Sequence, residues 1–355
     1  MVIQYKCPDC GADMTYSPQT GTLSCASCGK SLSIEDYKEE AEEPILDFEE
    51  FESQTSAGTF GEEAIQYQCE NCGAILITDG DTTATTCSFC GASMVLGDRL
   101  SGDLAPAKVI PFSINKEQAE TAFRKWCKNG LLAPKGFASA QRIKNITGMY
   151  VPFWLYDLNG RGEAHADCTR TRTYESGDYI YTETRHYDVY RKVDLNYDGI
   201  PTDASEKMND SLMDKLEPFH YDDLKDFKTP YLAGYLAEKY NYTDKELFPR
   251  VKERVNHYVN DYIRSTIHGY SSTLITSEWS DVKQRNASYT LLPIWMICYD
   301  YKDSEHIFAM NGQTGKIVGT PPLSWSKVIA WFAGISGGVF LLLEILYLIS
   351  GGVLW

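Results

Sequence analysis

Basic residues are scarce in this chain. It carries 33 Lys and Arg against 49 Asp and Glu, a formal net charge of −16 over 355 residues. Nucleic-acid binding draws most of its affinity from cations that displace counterions at phosphates. A chain this acidic repels a polyanion unless its basic residues gather on one face. No polybasic cluster is present to hold it on anionic lipid. The N-terminus, MVIQYKCPDC, has no basic segment followed by an apolar run, so no secretory signal is read there. An H-E-x-x-H pair and a Gly-rich dinucleotide loop are missing too, which removes the commonest metallopeptidase and nicotinamide-enzyme signatures.

What the chain has instead is paired cysteine. Of its 11 cysteines, Cys127, Cys168 and Cys298 are scattered. The others form four Cys-x-x-Cys pairs: Cys7 with Cys10, Cys25 with Cys28, Cys69 with Cys72, and Cys87 with Cys90. Thiols kept reduced in the cytosol point to metal rather than disulfides. The pairs belong to an internal repeat. CPDCGADMTYSPQTGTLSCASCG and CENCGAILITDGDTTATTCSFCG match cysteine for cysteine, Tyr5 maps on Tyr67, and Gly11 and Gly29 map on Gly73 and Gly91. Each copy reads as a zinc ribbon, with two knuckles joined by a short hairpin and a tetrahedral four-thiolate site between them. A closed shell of four thiolates leaves no position for water, so two structural Zn2+ ions are expected rather than catalytic ones.

The expected architecture is α+β and multidomain. It comprises a ribbon at 1–33, an acidic linker at 34–63, a second ribbon at 64–97, a central antiparallel-sheet α+β domain at 104–320, and a transmembrane helix at 328–350. The linker holds twelve acidic residues from Glu35 to Glu63 against the single Lys38. Ile45, Leu46, Phe48 and Phe51 within it leave two readings open, a solvated tether or a docking segment. In the central region Asn115 and Gln118 cap a helix that Gly130 ends. MYVPFWLYD (149–157) reads as a strand, and EAHADCTRTRTY with YIYTETRHYDVYRK as a hairpin around Glu175 to Asp178. Thr243 and Glu246 start a helix reaching about Ile267, which Pro249 kinks or restarts. SYTLLPIWMICYDY, EHIFAMN and KIVG form a meander whose turns fall at Asp303 with Ser304 and at Gly312 to Gly315.

Residues 328–350, VIAWFAGISGGVFLLLEILYLIS, are apolar apart from Glu344 and a few small polar residues. At ~1.5 Å per residue they reach ~34 Å, enough to cross a hydrocarbon core. Trp325, Trp331 and Trp355 sit where interfacial anchors would. Lys327 precedes the span and no basic residue follows it, so a single-pass, tail-anchored protein with cytoplasmic bulk is expected in the cell membrane. Ala330, Gly334 and Gly338 form a small-xxx-small row that fits a second anchored subunit.

Catalytic signals are thin. NGQTGKIVG is a hairpin turn, because its glycines are too close for a phosphate loop and Ile317 stands where that motif needs a hydroxyl. Alternation on a strand puts His165 and Asp167 on one face and Cys168 on the other, against a Cys–His nucleophile. Glu253, His257 and Asp261 share one helix face and read as its wet side. Arg170, Arg172, Arg185, Arg191 and Lys192 are the main local basic set, too small for nucleic acid to be the expected partner.

The paired ribbons, VPFWLYD, the closing LLPIWMICYDY with FAMNGQTGKIVG, and the C-terminal span together resemble the membrane-anchored TFIIB-type zinc-ribbon proteins of Firmicutes, the YdjG-like group. Members are often labelled primosomal, phage-replication or helicase-like, although no motor motif stands in this sequence. The resemblance implies a non-enzymatic adaptor that recruits an SPFH-domain or phage-shock-type partner to the membrane during envelope stress, with Cys7, Cys10, Cys25, Cys28, Cys69, Cys72, Cys87 and Cys90 as zinc ligands. The alternative is a replication or transcription zinc-ribbon protein associated with nucleic acid.

Overall fold

The computed structural model describes residues 2–37, 65–69, 71–73, 75–78, 80–87, 90, 92–100, 105–129, 132–134, 143–301 and 304–349. The acidic stretch beyond residue 37, with Ile45, Leu46, Phe48 and Phe51, lies outside them. So do Gly91, Gly130, Asp303, Ser350 and Trp355.

The two cysteine units are hairpin pieces of matching register. The first comprises β1 (Val2–Ile3), β2 (Met14–Ser17), β3 (Thr22–Cys25) and β4 (Ser31–Leu32). The second comprises β5 (Ile65–Gln68), β6 (Ile75–Thr78), β7 (Thr82–Thr86) and β8 (Ser93–Leu96). The bridge Lys6↔Asp13 recurs as Gln68↔Ile75, and Ser24↔Ser31 recurs as Thr86↔Ser93. The offset of 62 residues seen in the sequence is thus carried by the backbone pairing as well.

After β9 (Lys108–Val109), helix α1 (Lys116–Asn129) opens with the reciprocal cap expected. The Gln118 amide donates to Asn115 Oδ1 at 2.8 Å, and the Asn115 amide donates to Gln118 Oε1 at 2.9 Å. β10 (Ile143–Ser176) and β11 (Tyr179–Asp203) come next, joined at Gly177 and Asp178. Where the sequence predicts a strand and then a separate hairpin, the structure runs them together into one strand of 34 residues. Strands in globular proteins usually run 3–10 residues. The join passes through Gly160 and Gly162, which act here as contact points and not as breaks. A Cβ on Gly160 would lie 2.6 Å from Val259, and one on Gly162 would lie 2.6 Å from Ile263.

The helix overhead is α3, introduced by α2 (Asp210–Asp214), β12 (Lys225–Asp226) and β13 (Leu236–Glu238). It spans Asp244–Ser265 behind a complete Thr243–Glu246 capping box, and it continues unbroken through Pro249. As the sixth helical residue, Pro249 has no N–H to give the Lys245 carbonyl, and the helix runs on across that missing bond. Its stripe of Leu247, Val251, Val255, Val259 and Ile263 is buried on Tyr156, Leu158, Ala164 and Val282. Three strands make the surface beneath: β10, β11, and β14 (Ser272–Tyr301), which pairs with β10 along most of its length. Beyond Ser265 the hairpin of β10 and β11 continues as a bare tip, where Tyr174, Tyr179, Ile180 and Tyr181 are all exposed. From Phe153 to Ser176 the arm reaches roughly 80 Å at about 3.3 Å per residue.

β15 (Ser304–Asn311) and β16 (Ile317–Gly319) complete the expected antiparallel meander. Among the described residues the large sheet runs β1–β8–β7–β13–β10–β14–β15–β16, with β11, β9 and β12 attached, and numbers eleven strands. It is mixed, not purely antiparallel as the sequence predicts, because short β13 and β9 join β10 and β14 in parallel. Its largest core cluster includes Tyr5, Met14, Tyr16 and Leu23 of the first cysteine unit, Ala84 and Val95 of the second, and Phe112, Tyr150, Tyr235, Trp295 and Phe308 of the central sheet. Finally, α4 (Trp325–Ile349) is one helix of 25 residues, long and apolar enough to cross a membrane, with no residue buried. It leaves the body beside the end of α1, where the Ser324 amide donates to Leu132 O at 2.9 Å and Lys327 Nζ to Ala133 O at 2.7 Å.

Candidate metal centres

Three of the four cysteine pairs lie on described tight turns closed by glycine. The amides of Gly11, Gly29 and Gly73 donate to the carbonyls of Cys7, Cys25 and Cys69 at 2.8, 3.0 and 2.7 Å. Those glycines have φ of 71, 77 and 73°, in the left-handed region that a side chain disfavours. Behind the turn, the amides of Cys7, Cys25 and Cys87 each donate at 2.8 Å to the carbonyl five residues on, at Ala12, Lys30 and Ala92. The first cysteine of every pair is buried and the second exposed.

These turns bring Cys7, Cys10, Cys25 and Cys28 together, and likewise Cys69, Cys72, Cys87 and Cys90, with all sulfurs of a set within 4.8 Å of one another. Across the first set Cys7 and Cys28 are 3.5 Å apart, and Cys10 and Cys25 are 3.6 Å apart. Across the second the corresponding separations are both 3.7 Å. A tetrahedral ion with metal–sulfur bonds of about 2.3 Å would set its sulfurs about 3.8 Å apart. All eight residues singled out in the sequence therefore assemble as two sets that could hold a metal ion.

Thiolate formation, which metal binding needs, is helped at particular atoms. The Cys28 backbone amide draws Cys25 down to about 7. The Asn71 side-chain amide, 3.5 Å from Cys90 Sγ, leads the effects that bring that thiol down to about 6. Cys28 moves the other way. The Lys30 amide favours its thiolate, but the sulfurs of Cys7 and Cys10 outweigh this and push it up to about 12.

The centres are not independent of their surroundings. β1 pairs with β8, Val2 opposite Leu96 and Ile3 opposite Val95, so the first unit lends a strand to the second. Gln4 Nε2 donates to Cys69 Sγ at 3.7 Å, and Lys6 Nζ donates to Asn71 Oδ1 at 3.2 Å and to Asp13 at 2.6 Å. Residues 229–235 touch both units. The Tyr16 amide donates to Ala233 O at 2.9 Å, Tyr16 meets Tyr231 edge to face at 5.5 Å, and the Gly234 amide donates to Ser93 Oγ at 2.8 Å. Sequence reasoning missed this junction, which forms between segments more than 130 residues apart and has no local signature.

The other candidates resolve as structure. Cys168 is buried and points its thiol at Thr273, 3.7 Å away, while His165 is exposed and packs on Tyr190. Glu253, His257 and Asp261 lie on the exposed side of α3. In the NGQTGK turn, buried Asn311 donates to the carbonyls of Leu216 and Pro218 and accepts from the amides of Gln313 and Thr314. Gly312 lies against Phe112. The turn clamps a neighbouring loop and forms no phosphate cradle. The basic set is largely engaged locally: Arg170 with Gly269 O, Arg185 with Glu183, and Lys192 with Glu163.

Two four-cysteine centres of metal-binding geometry, built onto the edge of a large mixed sheet that ends in an exposed apolar helix, define the class of protein. The particular family is given by sequence: the chain is 57% identical over 352 residues to the "Uncharacterized protein YdjG" of Bacillus subtilis (strain 168), covering 99% of each. It belongs to the YdjG family. No protein-family model matches the chain, and no solved structure matches it.

Proposed function

We propose that the chain is a tail-anchored, zinc-binding scaffold of the cytoplasmic membrane face that holds protein partners of the SPFH or phage-shock type, and that it is not an enzyme. The observation that carries this reading is α4, a helix of 25 mostly apolar residues of which none is buried. Lipid is the solvent that satisfies such a surface, since its backbone bonds are already made within the helix. The zinc centres serve the scaffold structurally, as four thiolates leave no open coordination position. Exposed Tyr174, Tyr179 and Tyr181 at the arm tip supply the amphipathic rings that protein contacts favour, with exposed Ile180 beside them.

The test is removal of residues 328–355 in cells. The shortened chain is expected in the soluble fraction, and the partner it captures should leave the membrane with it. A partner that stays membrane-bound without the tail overturns the recruitment reading. A replication or transcription role instead requires residues 1–327 to bind DNA with a steep salt dependence. Weak binding that barely responds to salt removes that alternative.

A further inference from the structure

A metal–thiolate centre is tuned by the donors around its sulfurs as well as by the sulfurs themselves. At the second centre part of that outer shell is foreign to the unit. Cys69 Sγ receives a hydrogen bond from Gln4, and Cys90 Sγ receives one from Asn71, whose carbonyl oxygen is held by Lys6. Gln4 and Lys6 belong to the stretch between β1 and Cys7. Contacts within the first unit fix their positions. The Met14 amide donates to Tyr5 O at 2.7 Å, Tyr5 is buried against Tyr37, and Lys6 pairs with Asp13. β1 itself lies along β8, which leads directly out of the last knuckle of the second unit. The donors that steady the second set of thiolates are thus delivered by the folded form of the first.

The geometry points to a one-way coupling between the two metal centres: the first unit, once folded around its own ion, completes the outer shell of the second, so the second ion is held firmly only when the first is in place. This rests on the two cysteine sets being metal centres. Gln4 and Lys6 are positioning residues, since neither would touch the ion. An N–H aimed at a thiolate spreads its negative charge and fixes the sulfur's direction, which is why changing such partners commonly weakens metal affinity by about 10–100-fold.

The full chain in detergent, loaded with cadmium-113, tests this by NMR together with zinc release to a chromogenic chelator. Wild type is expected to give two tetrathiolate resonances, and Cys72→Ser, which removes one, assigns the line of the second centre. Gln4→Leu and Lys6→Met should shift that line and leave the other in place. Gln4→Glu, which sets a carboxylate against the sulfur, should speed release of the second zinc roughly tenfold, more than Gln4→Leu does. Cys10→Ser with Cys28→Ser should loosen the second ion, whereas Cys72→Ser with Cys90→Ser should leave the first tightly bound. If the assigned line and its release rate are unmoved in all three single variants, or if both lines move alike, the coupling is overturned while the metal centres stand. A wild-type chain that takes up no metal removes both.

Discussion

On one edge of β3 the first cysteine unit places its own β2; on the corresponding edge of β7 the second places β13, from a distant part of the chain. Ligand spacing is the same in both, and the first knuckle turn of each is alike, so the thiolate cage does not dictate what lies next to it. The first unit completes a three-stranded sheet of its own and reaches the body through β1, which lies along β8, and through the loop at 229–235. The second gives up that edge, and Ala84 pairs with Ala237. A repeated module has been kept once as a docked piece and once as part of the wall.

Loss of the buried ligands should break the comparison most sharply. Structural zinc sites contribute on the order of 10 kcal/mol of binding free energy to folding. Cys69→Ser with Cys87→Ser is expected to open β13 and Met149 and Tyr150 of β10 to hydrogen exchange. Cys7→Ser with Cys25→Ser should open residues 229–235 chiefly and affect those amides much less, through the loosened second ion alone. Identical exchange maps would show that the second unit is no more part of the wall than the first. Next in size, Tyr16→Ala empties a buried contact and should cost about 3 kcal/mol by denaturant unfolding. Its cycle with Tyr231→Ala should fall short of additivity by about 1 kcal/mol. Additive losses would mean that the first unit docks without that pair.

A third prediction concerns Asp203, outside both units. Its carboxyl is buried with Oδ2 unpartnered, and burial raises it from 3.8 to about 7 against the help of the Ser205 amide. The folded chain therefore keeps this proton while the unfolded chain releases it, and stability falls as pH rises from about 4 to 7. Asp203→Asn keeps the acceptor for Ser205 and removes the ionisation. It should be stabilised by about 2 kcal/mol at pH 8, with the gain vanishing toward pH 4. A gain independent of pH in thermal melts would contradict the assignment. The smallest effect is expected at the junction shared by the two units. Gly234 has φ of 90°, and a Cβ there would lie 3.0 Å from Thr15. Gly234→Ala should cost about 1–2 kcal/mol, measured as a lowered midpoint that affects both units together.

The metal centres were legible in the sequence because their determinants are local: eight thiols, knuckle glycines and a repeat. The capping boxes at Asn115 and Thr243 and the apolar tail were readable for the same reason. The wall was not. β9, β12 and β13 have two or three residues each, too few to show alternation, and they are created by partners far away in the chain. Gly160 and Gly162 look like breaks in a linear reading, and only the arrival of Val259 and Ile263 shows why a side chain has no room there. The mixed character of the sheet escaped prediction because its parallel pairs involve these same short strands.

The ribbon of β10, β11 and β14 has a mechanical consequence. Splinted by α3 along its near portion and bare beyond Ser265, it is a stiff rod with a pliant end. A slight pivot at the root sweeps the tyrosine-bearing end through a wide arc. Were the body held at a bilayer by α4, as proposed above, that end would sweep a broad area around a fixed point.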